Sequence, residues 1–203
     1  MKKLIYQKGI AVEEDIEKIK LLDKMTYSDK YLLSVSDYKK RIEKNNKHIY
    51  IVKNSKRDVV AYMSIIPLEY DAYIRIKNGE TDKEVITIDN IISTNKEGEF
   101  FYFDSIVVDP SYRRYGVGRK LCEFAINDVI KSNKTIKRIM AHTISKGGTN
   151  LATKYGLEIK KQLDKTTIVM ERGFNKKSYV RKKKYKDRDK RYIEKKKFYG
   201  HTV

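Results

Sequence analysis

The chain has 203 residues, of which 40% are hydrophobic and 36% charged, and its formal net charge is +19. This length can build a hydrophobic core, no stretch of about 18 apolar residues could cross a membrane, and the single cysteine excludes an intramolecular disulfide framework. We expect no metal centre, and the absence of a signal-peptide pattern at the N-terminus predicts a cytoplasmic protein.

The N-terminal half predicts two helices followed by two strands. Residues 13–25 carry apolar side chains at helical spacing, and a second short helix is predicted from Ser36 as a candidate cap. Residues 48–53 and 59–67 are apolar, β-branched runs separated by a polar turn. They predict a pair of antiparallel strands.

Residues 68–99 reverse the sign of the charge, with eight acids against four bases. The Asn78-Gly79 pair within this segment is a typical hairpin turn, and an apolar run follows it. The segment therefore predicts an acidic β-hairpin inserted into a domain that spans residues 1–173.

The second half predicts alternating strands and helices. Residues 100–108 form a strand that ends at Asp109-Pro110, because a proline restricts the residue before it. The remaining predicted elements are a helix over 116–131, a strand over 136–143, a helix over 147–155 and closing strands over 157–163 and 166–172. The pattern predicts the α/β class, with a mixed sheet of six to seven strands flanked by helices.

A glycine-containing turn joins the strand over 100–108 to the following helix. It fits the pattern R/Q-x-x-G-x-G/A, in which glycines let the backbone approach a ligand and free N–H groups at the helix start face an anion. Three arginines add positive potential, so the turn predicts pyrophosphate binding. It is neither a Walker loop nor a dinucleotide fingerprint. The candidate ligand-binding residues are Arg113, Arg114, Tyr115, Gly116, Val117, Gly118 and Arg119.

Residues 106–121 resemble the central motif of the GNAT superfamily of acyl-coenzyme A-dependent N-acyltransferases. The resemblance covers roughly residues 1–173 and is tightest over 100–132. It implies a GNAT-like fold with acetyl-CoA as cosubstrate, whose pantetheine arm lies between splayed strands over 100–108 and 136–143. The arm would pair with the backbone of Ile106, Val107 and Val108.

The resemblance weakens further along the chain. Aligned on Gly156, the positions of the family's common tyrosine and asparagine hold Ala152 and Ser145. Tyr155 lies three residues from the usual tyrosine position. It is a candidate general acid, with a packed aromatic residue at a helix end as the alternative.

Asp104 is the candidate general base, because it is the only acid within residues 100–108. Strand alternation would place it on one face with Tyr102, Ile106 and Val108. Its apolar neighbours, Phe103 among them, would raise its pKa. The alternative is a solvated or capped strand carboxylate.

Two further side chains with reactive groups are expected to have structural or contact roles. Cys122 is expected to be a small core residue beside Leu121, and His142 a packing or partner-contacting residue on a strand. We assign neither a chemical role.

Residues 174–203 form a basic tail with 13 Lys and Arg against 3 acids. Tyr185, Tyr192 and Tyr199 recur at intervals of seven. Cationic side chains neutralise phosphates and tyrosines stack on bases, so the tail predicts contact with RNA or the ribosome. The alternative is a solvated tail whose tyrosines dock on its own domain.

The resemblance implies transfer of an acetyl group from acetyl-CoA to a primary amine by direct attack, with the carbonyl polarised by a backbone N–H near Val108. The tail favours a protein, ribosomal or tRNA-borne acceptor. A polycationic small molecule is favoured by Asp71, Glu80, Asp82, Glu84 and Asp89. A catalytically degenerate fold that binds coenzyme or nucleic acid and a pure nucleic-acid module remain alternatives, and a dimer is compatible with the sequence.

Overall fold

The computed structural model describes residues 6–80 and 85–174. The predicted basic tail lies outside this range except for Phe174, as do Asp82 and Glu84 of the acidic segment.

Seven strands form one sheet in the order β1-β2-β3-β4-β5-β7-β6. The strands are β1 (Gln7–Ile10), β2 (Ile49–Lys53), β3 (Val59–Leu68), β4 (Phe100–Val108), β5 (Arg138–Thr143), β6 (Glu158–Gln162) and β7 (Ile168–Gly173). Strands β2, β3 and β4 pair antiparallel, whereas β4 and β5 run parallel. The α/β class and the mixed sheet are confirmed.

Five described helices flank the sheet: α1 (Ile16–Lys24), α2 (Val35–Lys44), α3 (Tyr70–Asn78), α4 (Val117–Ser132) and α5 (Lys146–Lys154). Helix α2 begins two residues earlier than predicted. Its cap is Ser34, whose hydroxyl oxygen accepts from the Asp37 N–H at 3.0 Å, and Ser36 lies inside the helix. A serine oxygen at this position satisfies an amide that the first helical turn leaves free.

The hairpin predicted around Asn78-Gly79 is wrong, because this segment is the end of helix α3. Ala72, Tyr73 and Ile76 lie on one buried face of that helix. Gly79 adopts φ +107° and its N–H reaches the carbonyls of the last turn, so the Asn-Gly pair ends a helix instead of turning a strand. The apolar residues fit the period of a helix better than that of a strand.

The core on one side of the sheet is divided between two sets of helices. Helices α1 and α2 cover the part that includes Tyr62 and Val107. Helix α3 and the chain after it cover Tyr102, Met140 and Val169. The residues between β3 and β4 thus form a second cover for the sheet, next to that made by α1 and α2.

Candidate functional site

Strand β4 leads directly into the turn that the sequence singles out. Asp109 accepts from the Ser111 N–H at 2.8 Å, and a short 3₁₀ turn over Pro110–Tyr112 follows. Residues 113–119, here called the glycine loop, then enter helix α4. The first intrahelical bond runs from the Lys120 N–H to the Gly116 carbonyl, so the amides of residues 117–119 have no partner within the helix and can meet a ligand.

The two glycines of this loop have different roles. Gly116 has φ +76°, and a Cβ built there meets nothing within 4 Å, so this backbone is open towards a ligand. A Cβ on Gly118 would lie 3.3 Å from Val108 Cγ2. Gly118 therefore lets helix α4 pack closely on β4, a packing role that the sequence interpretation did not separate from ligand approach.

The three arginines of the loop, Arg113, Arg114 and Arg119, are exposed, as is Tyr115, whereas Val117 is buried. Arg114 adopts a left-handed backbone with φ +65°. Arg113 donates from Nε to the Val108 carbonyl at 3.0 Å, which ties the loop to the end of β4. The loop thus combines free amides at a helix start with a positively charged rim.

Strands β4 and β5 separate beyond their first four paired residues. The register runs from Phe100–Arg138 to Phe103–Ala141 within the described chain. A cleft of about 320 Å³ opens beyond that point. Its walls include Tyr27, Ser105, Ile106, His142, Ser145 and Tyr155.

Successive residues of β4 direct their backbone N–H and C=O groups alternately towards β3 and towards the gap where β4 and β5 separate. The Asp109 N–H bonds the Val60 carbonyl at 2.9 Å, and Val107 pairs with Tyr62. In an antiparallel ladder the intervening residues point the other way. Ile106 and Val108 therefore present their backbone groups to the gap, and Val107 presents its own to β3.

A β-bulge places Asp104 out of register. Ser64 pairs with Ser105, but the next residue, Ile65, pairs with Phe103. The extra residue reverses the alternation along β4, because paired residues share a face of the sheet. The prediction that Tyr102 shares a face with Ile106 and Val108 is therefore wrong.

Asp104 faces a cation that the sequence did not indicate. Arg41, a buried residue of helix α2, places Nη1 3.7 Å from Asp104 Oδ2. Arg41 also donates from Nη2 to the Ile86 carbonyl at 3.3 Å. A guanidinium at this distance is a charged neighbour, so the surroundings of Asp104 are not the apolar ones predicted.

Asp23 lies on the same side of the sheet and is only 4% exposed. Its carboxylate accepts hydrogen bonds from the hydroxyls of Tyr38, at 2.5 Å, and Tyr62. Burial raises the pKa of Asp23, and the two hydrogen bonds oppose that rise. We call the following residues the polar cluster: Asp23, Tyr27, Tyr38, Arg41, Tyr62 and Asp104.

Sequence reasoning missed every member of this cluster except Asp104. One signal was present: Asp23 follows Ile19 by four residues, so it falls on the apolar stripe of helix α1. A carboxylate on a buried stripe requires a partner. The partners lie far away in the sequence and only the fold reveals them.

Tyr155 lines the cleft, but its hydroxyl donates to the Arg119 carbonyl at 2.7 Å. Burial is the main reason that its pKa is raised. Its ring packs beside the buried residues Ala141, Leu157 and Met170. These contacts favour the packing alternative, and a general-acid role stays a prediction.

The other reactive side chains are accounted for by packing. Burial raises the pKa of the Cys122 thiol to about 12, which keeps it protonated. The His142 ring meets that of Tyr102 edge-on, with centroids 5.5 Å apart. His48 is buried, and desolvation lowers its pKa to about 4.

Three of the acidic side chains proposed to attract a polycation lie in the described part of the chain, at separate positions on the surface. Asp71 lies in the first turn of α3, and Asp89 is exposed in the loop beyond it. Glu80 is bound by Arg75 at 2.6 Å. These three acids do not meet in the cleft.

Within residues 6–80 and 85–174, no group of three or more His, Cys, Asp or Glu side chains is arranged to hold a metal ion. No described helix has both the length and the apolar character needed to cross a membrane.

The sequence matches the family model described as the acetyltransferase (GNAT) family over residues 14–152. No curated protein matches it significantly. Many solved structures share the fold.

Three of these structures illustrate the likeness. The GNAT-like decarboxylase GphF, in complex with isobutyryl-CoA, has a TM-score of 0.65 at 12% identity and covers 82% of this chain and 98% of its own. The ribosomal-protein-S18-alanine N-acetyltransferase from Escherichia coli gives 0.55 at 12%, with 83% and 94% covered. PaiA N-acetyltransferase from Thermoplasma acidophilum, in complex with coenzyme A, gives 0.56 at 13%, with 84% and 99% covered.

Proposed function

Because the chain belongs to the GNAT acetyltransferase family, we propose that it is an acyltransferase and that it transfers an acetyl group from acetyl-CoA to a primary amine. The observation that carries this proposal is the continuity between the gap and the glycine loop. Ile106 and Val108 present backbone groups to the gap, and the free amides of helix α4 follow at its open end.

The residues present fit a coenzyme placed along this line. The pyrophosphate would lie at the start of α4, where amides and exposed arginines attract an anion. The pantetheine arm would replace the missing strand partner of Ile106 and Val108. The thioester would then lie towards the closed end of the gap, near the bulge at Asp104. PaiA, a protein of similar fold, is in complex with coenzyme A, which supports a coenzyme site on this fold.

The proposed reaction is direct attack without an acyl-enzyme. The amine nitrogen bonds to the thioester carbon, and the carbonyl oxygen takes negative charge beside the Ile106 N–H. The intermediate then collapses, the carbon–sulfur bond breaks, and the sulfur leaves with the electron pair. The nitrogen loses one proton to Asp104, directly or through water, and the thiolate takes one proton from solvent.

Release of free thiol tests this proposal. The protein is mixed with acetyl-CoA and a panel of amines: a polyamine, an aminoglycoside, and peptides that present an N-terminal amine or lysine. We expect thiol release with at least one amine, and mass spectrometry should show one acetyl group added to it. Coenzyme binding without release from any member would contradict the proposed reaction.

One observation favours a second candidate, a degenerate coenzyme-binding protein. The position of the family's tyrosine holds Ala152, and the hydroxyl of Tyr155 is bonded to a backbone carbonyl. The two candidates differ in a single-turnover experiment. The enzyme converts bound acetyl-CoA when amine is added, whereas the degenerate protein returns it unchanged.

A further inference from the structure

Tyr27 lies where the gap between β4 and β5 closes. It follows helix α1, and its N–H bonds the Asp23 carbonyl at 2.8 Å. Its side chain lines the cleft together with Ser105 and Ile106. The loop that carries Tyr27 is therefore fixed to the end of α1 while the ring reaches the inner end of the cleft.

The Tyr27 side chain and the backbone N–H of Ile106 meet at this end of the cleft, and the approach of that N–H opposes the rise in the Tyr27 pKa. That amide belongs to the part of β4 that faces the gap. It has no strand partner there, because the register with β5 ends at Phe103. The hydroxyl thus takes the place that an acceptor atom on a ligand would occupy.

The hydroxyl also stays protonated over the working pH range. Burial raises the pKa of Tyr27, and the carboxylates of Asp104 and Asp23 raise it further. A neutral hydroxyl can still donate its own proton to a third atom. A tyrosine with a raised pKa is a weak proton donor to a thiolate, so hydrogen bonding fits it better than general-acid catalysis.

We propose that Tyr27 is a catalytic residue that forms, with the Ile106 N–H, a two-donor site for the oxygen of the acyl group. This inference rests on the proposed function and names a group that the family motif does not contain. The strand fixes the direction of the Ile106 N–H into the gap, whereas the Tyr27 O–H can rotate, so both donors can point at one oxygen that enters there. The thioester oxygen would enter between them and replace the contact that they make in the free protein.

The two donors act while the amine attacks the thioester carbonyl. Attack by the amine forms the carbon–nitrogen bond and moves the carbonyl π pair onto oxygen. The Tyr27 O–H and the Ile106 N–H stabilise that charge without giving up their protons. The electron pair returns to the carbon–oxygen bond as the carbon–sulfur bond breaks, so both donors keep the protons with which they started.

The test uses Tyr27→Phe, which removes the donor and keeps the ring. We expect kcat to fall about 100-fold, the usual effect of losing one oxyanion donor, with little change in coenzyme affinity. The matched control is Tyr70→Phe, since Tyr70 is exposed on helix α3. Melting temperatures of both variants report whether either substitution disturbs the fold.

Infrared spectroscopy of bound acetyl-CoA, labelled with ¹³C at the carbonyl, gives a readout that a structural role would not move. The carbonyl band should lie lower in the wild-type complex than in solution, and Tyr27→Phe should shift it back towards the free value. This measurement needs no amine, so it separates failure of the inference from failure of the proposed reaction. An unchanged band in the variant, or an unchanged kcat, would overturn the inference.

Discussion

The glycine loop and the polar cluster are built in opposite ways. The loop uses consecutive residues, exposed arginines and backbone amides, and most of its side chains face solvent. The polar cluster uses buried and half-buried side chains from α1 and the loop after it, α2, β3 and β4, brought together only by the fold. A site made of backbone leaves a continuous motif in the sequence, whereas a site made of side chains leaves scattered residues.

This contrast predicts different responses to change. The loop should fail through local backbone strain and charge, and its failure should appear as lost coenzyme affinity. The polar cluster should fail through lost polar partners, and its failure should appear in turnover or pH dependence. Each prediction below tests one side of the contrast.

The largest effect is expected at the loop, from Gly116→Asp. Aspartate at φ +76° brings modest backbone strain, since Asp and Asn tolerate the left-handed region better than other side chains, and its carboxylate at the helix start repels the coenzyme's phosphates. Together these effects should weaken acetyl-CoA binding about 100-fold or more, as measured by calorimetry. No steric clash contributes, because a Cβ there meets open space.

Gly116→Asn is the matched control for this substitution. Asparagine has nearly the same size, tolerates the left-handed region and carries no charge. It should lose less than about 10-fold in affinity, since only residual strain remains. Equal affinity of the Asp variant and the wild type would remove the loop from the coenzyme site.

The next effect is expected in the polar cluster, from Asp104→Asn. Loss of a general base should lower kcat about 100-fold while coenzyme affinity stays nearly constant. The loss should be greatest at low pH, where more of the amine carries a proton. Glu17→Gln, at an exposed position of α1, serves as a charge-matched control. A complete pH–rate profile that survives in Asp104→Asn would exclude this residue as the base.

The buried side chain of His48, which lies near Arg41 of the polar cluster, makes the free energy of unfolding depend on pH. Its pKa is lowered from 6.5 to about 4 by burial, first of all, and then by the charge of Arg41. The unfolded chain therefore binds a proton that the folded chain refuses, so stability is complete above pH 6.5 and falls as pH drops towards 4. At pH 5 the loss from this group should be about 2 kcal/mol.

Urea unfolding at pH 7 and pH 5 measures this loss. His48→Gln should lose about 2 kcal/mol less than the wild type between the two pH values, whatever its stability at pH 7. The comparison uses the difference between pH values, so a uniformly weakened variant remains informative. Equal pH dependence in both proteins would show that His48 is not the group responsible.

The smallest effect on the folded domain is expected from removing residues 175–203, which follow the last described strand. Melting temperature and acetyl-CoA affinity should stay close to those of the full chain. RNA affinity should weaken, and its dependence on salt should flatten, because residues 174–203 carry +10 of the +19 net charge.

Affinity measured at several salt concentrations gives both slopes. Equal slopes for the full and shortened chains would mean that the tail does not bind the polyanion. A large fall in melting temperature would instead favour docking of Tyr185, Tyr192 and Tyr199 on the domain.

Much of the fold could be predicted because apolar residues recur within its helices and strands at the spacing typical of each. Strand β4 has the predicted bounds, and the glycine loop follows it as expected. Helix α3 was missed because Asn-Gly is compatible with both a hairpin turn and a helix end, and only burial of Ala72, Tyr73 and Ile76 decides between them.

The polar cluster could not be predicted from the sequence, for two physical reasons. The bulge at Asp104 adds one residue to a strand, and a single-residue slip exchanges the two faces of β4 without any mark in its composition. Tyr27 and Arg41 reach the gap from segments far away in the sequence. Their roles depend on tertiary contacts, which hydrophobic periodicity does not encode.

A crystal structure with acetyl-CoA is the most direct test of the central claim, that the gap between β4 and β5 and the glycine loop form one coenzyme site. We predict pyrophosphate oxygens on the amides at the start of α4, pantetheine amides on the backbone of Ile106 and Val108, and the thioester oxygen at the Ile106 N–H. A coenzyme bound elsewhere, or one whose arm lies outside the gap, would contradict the account.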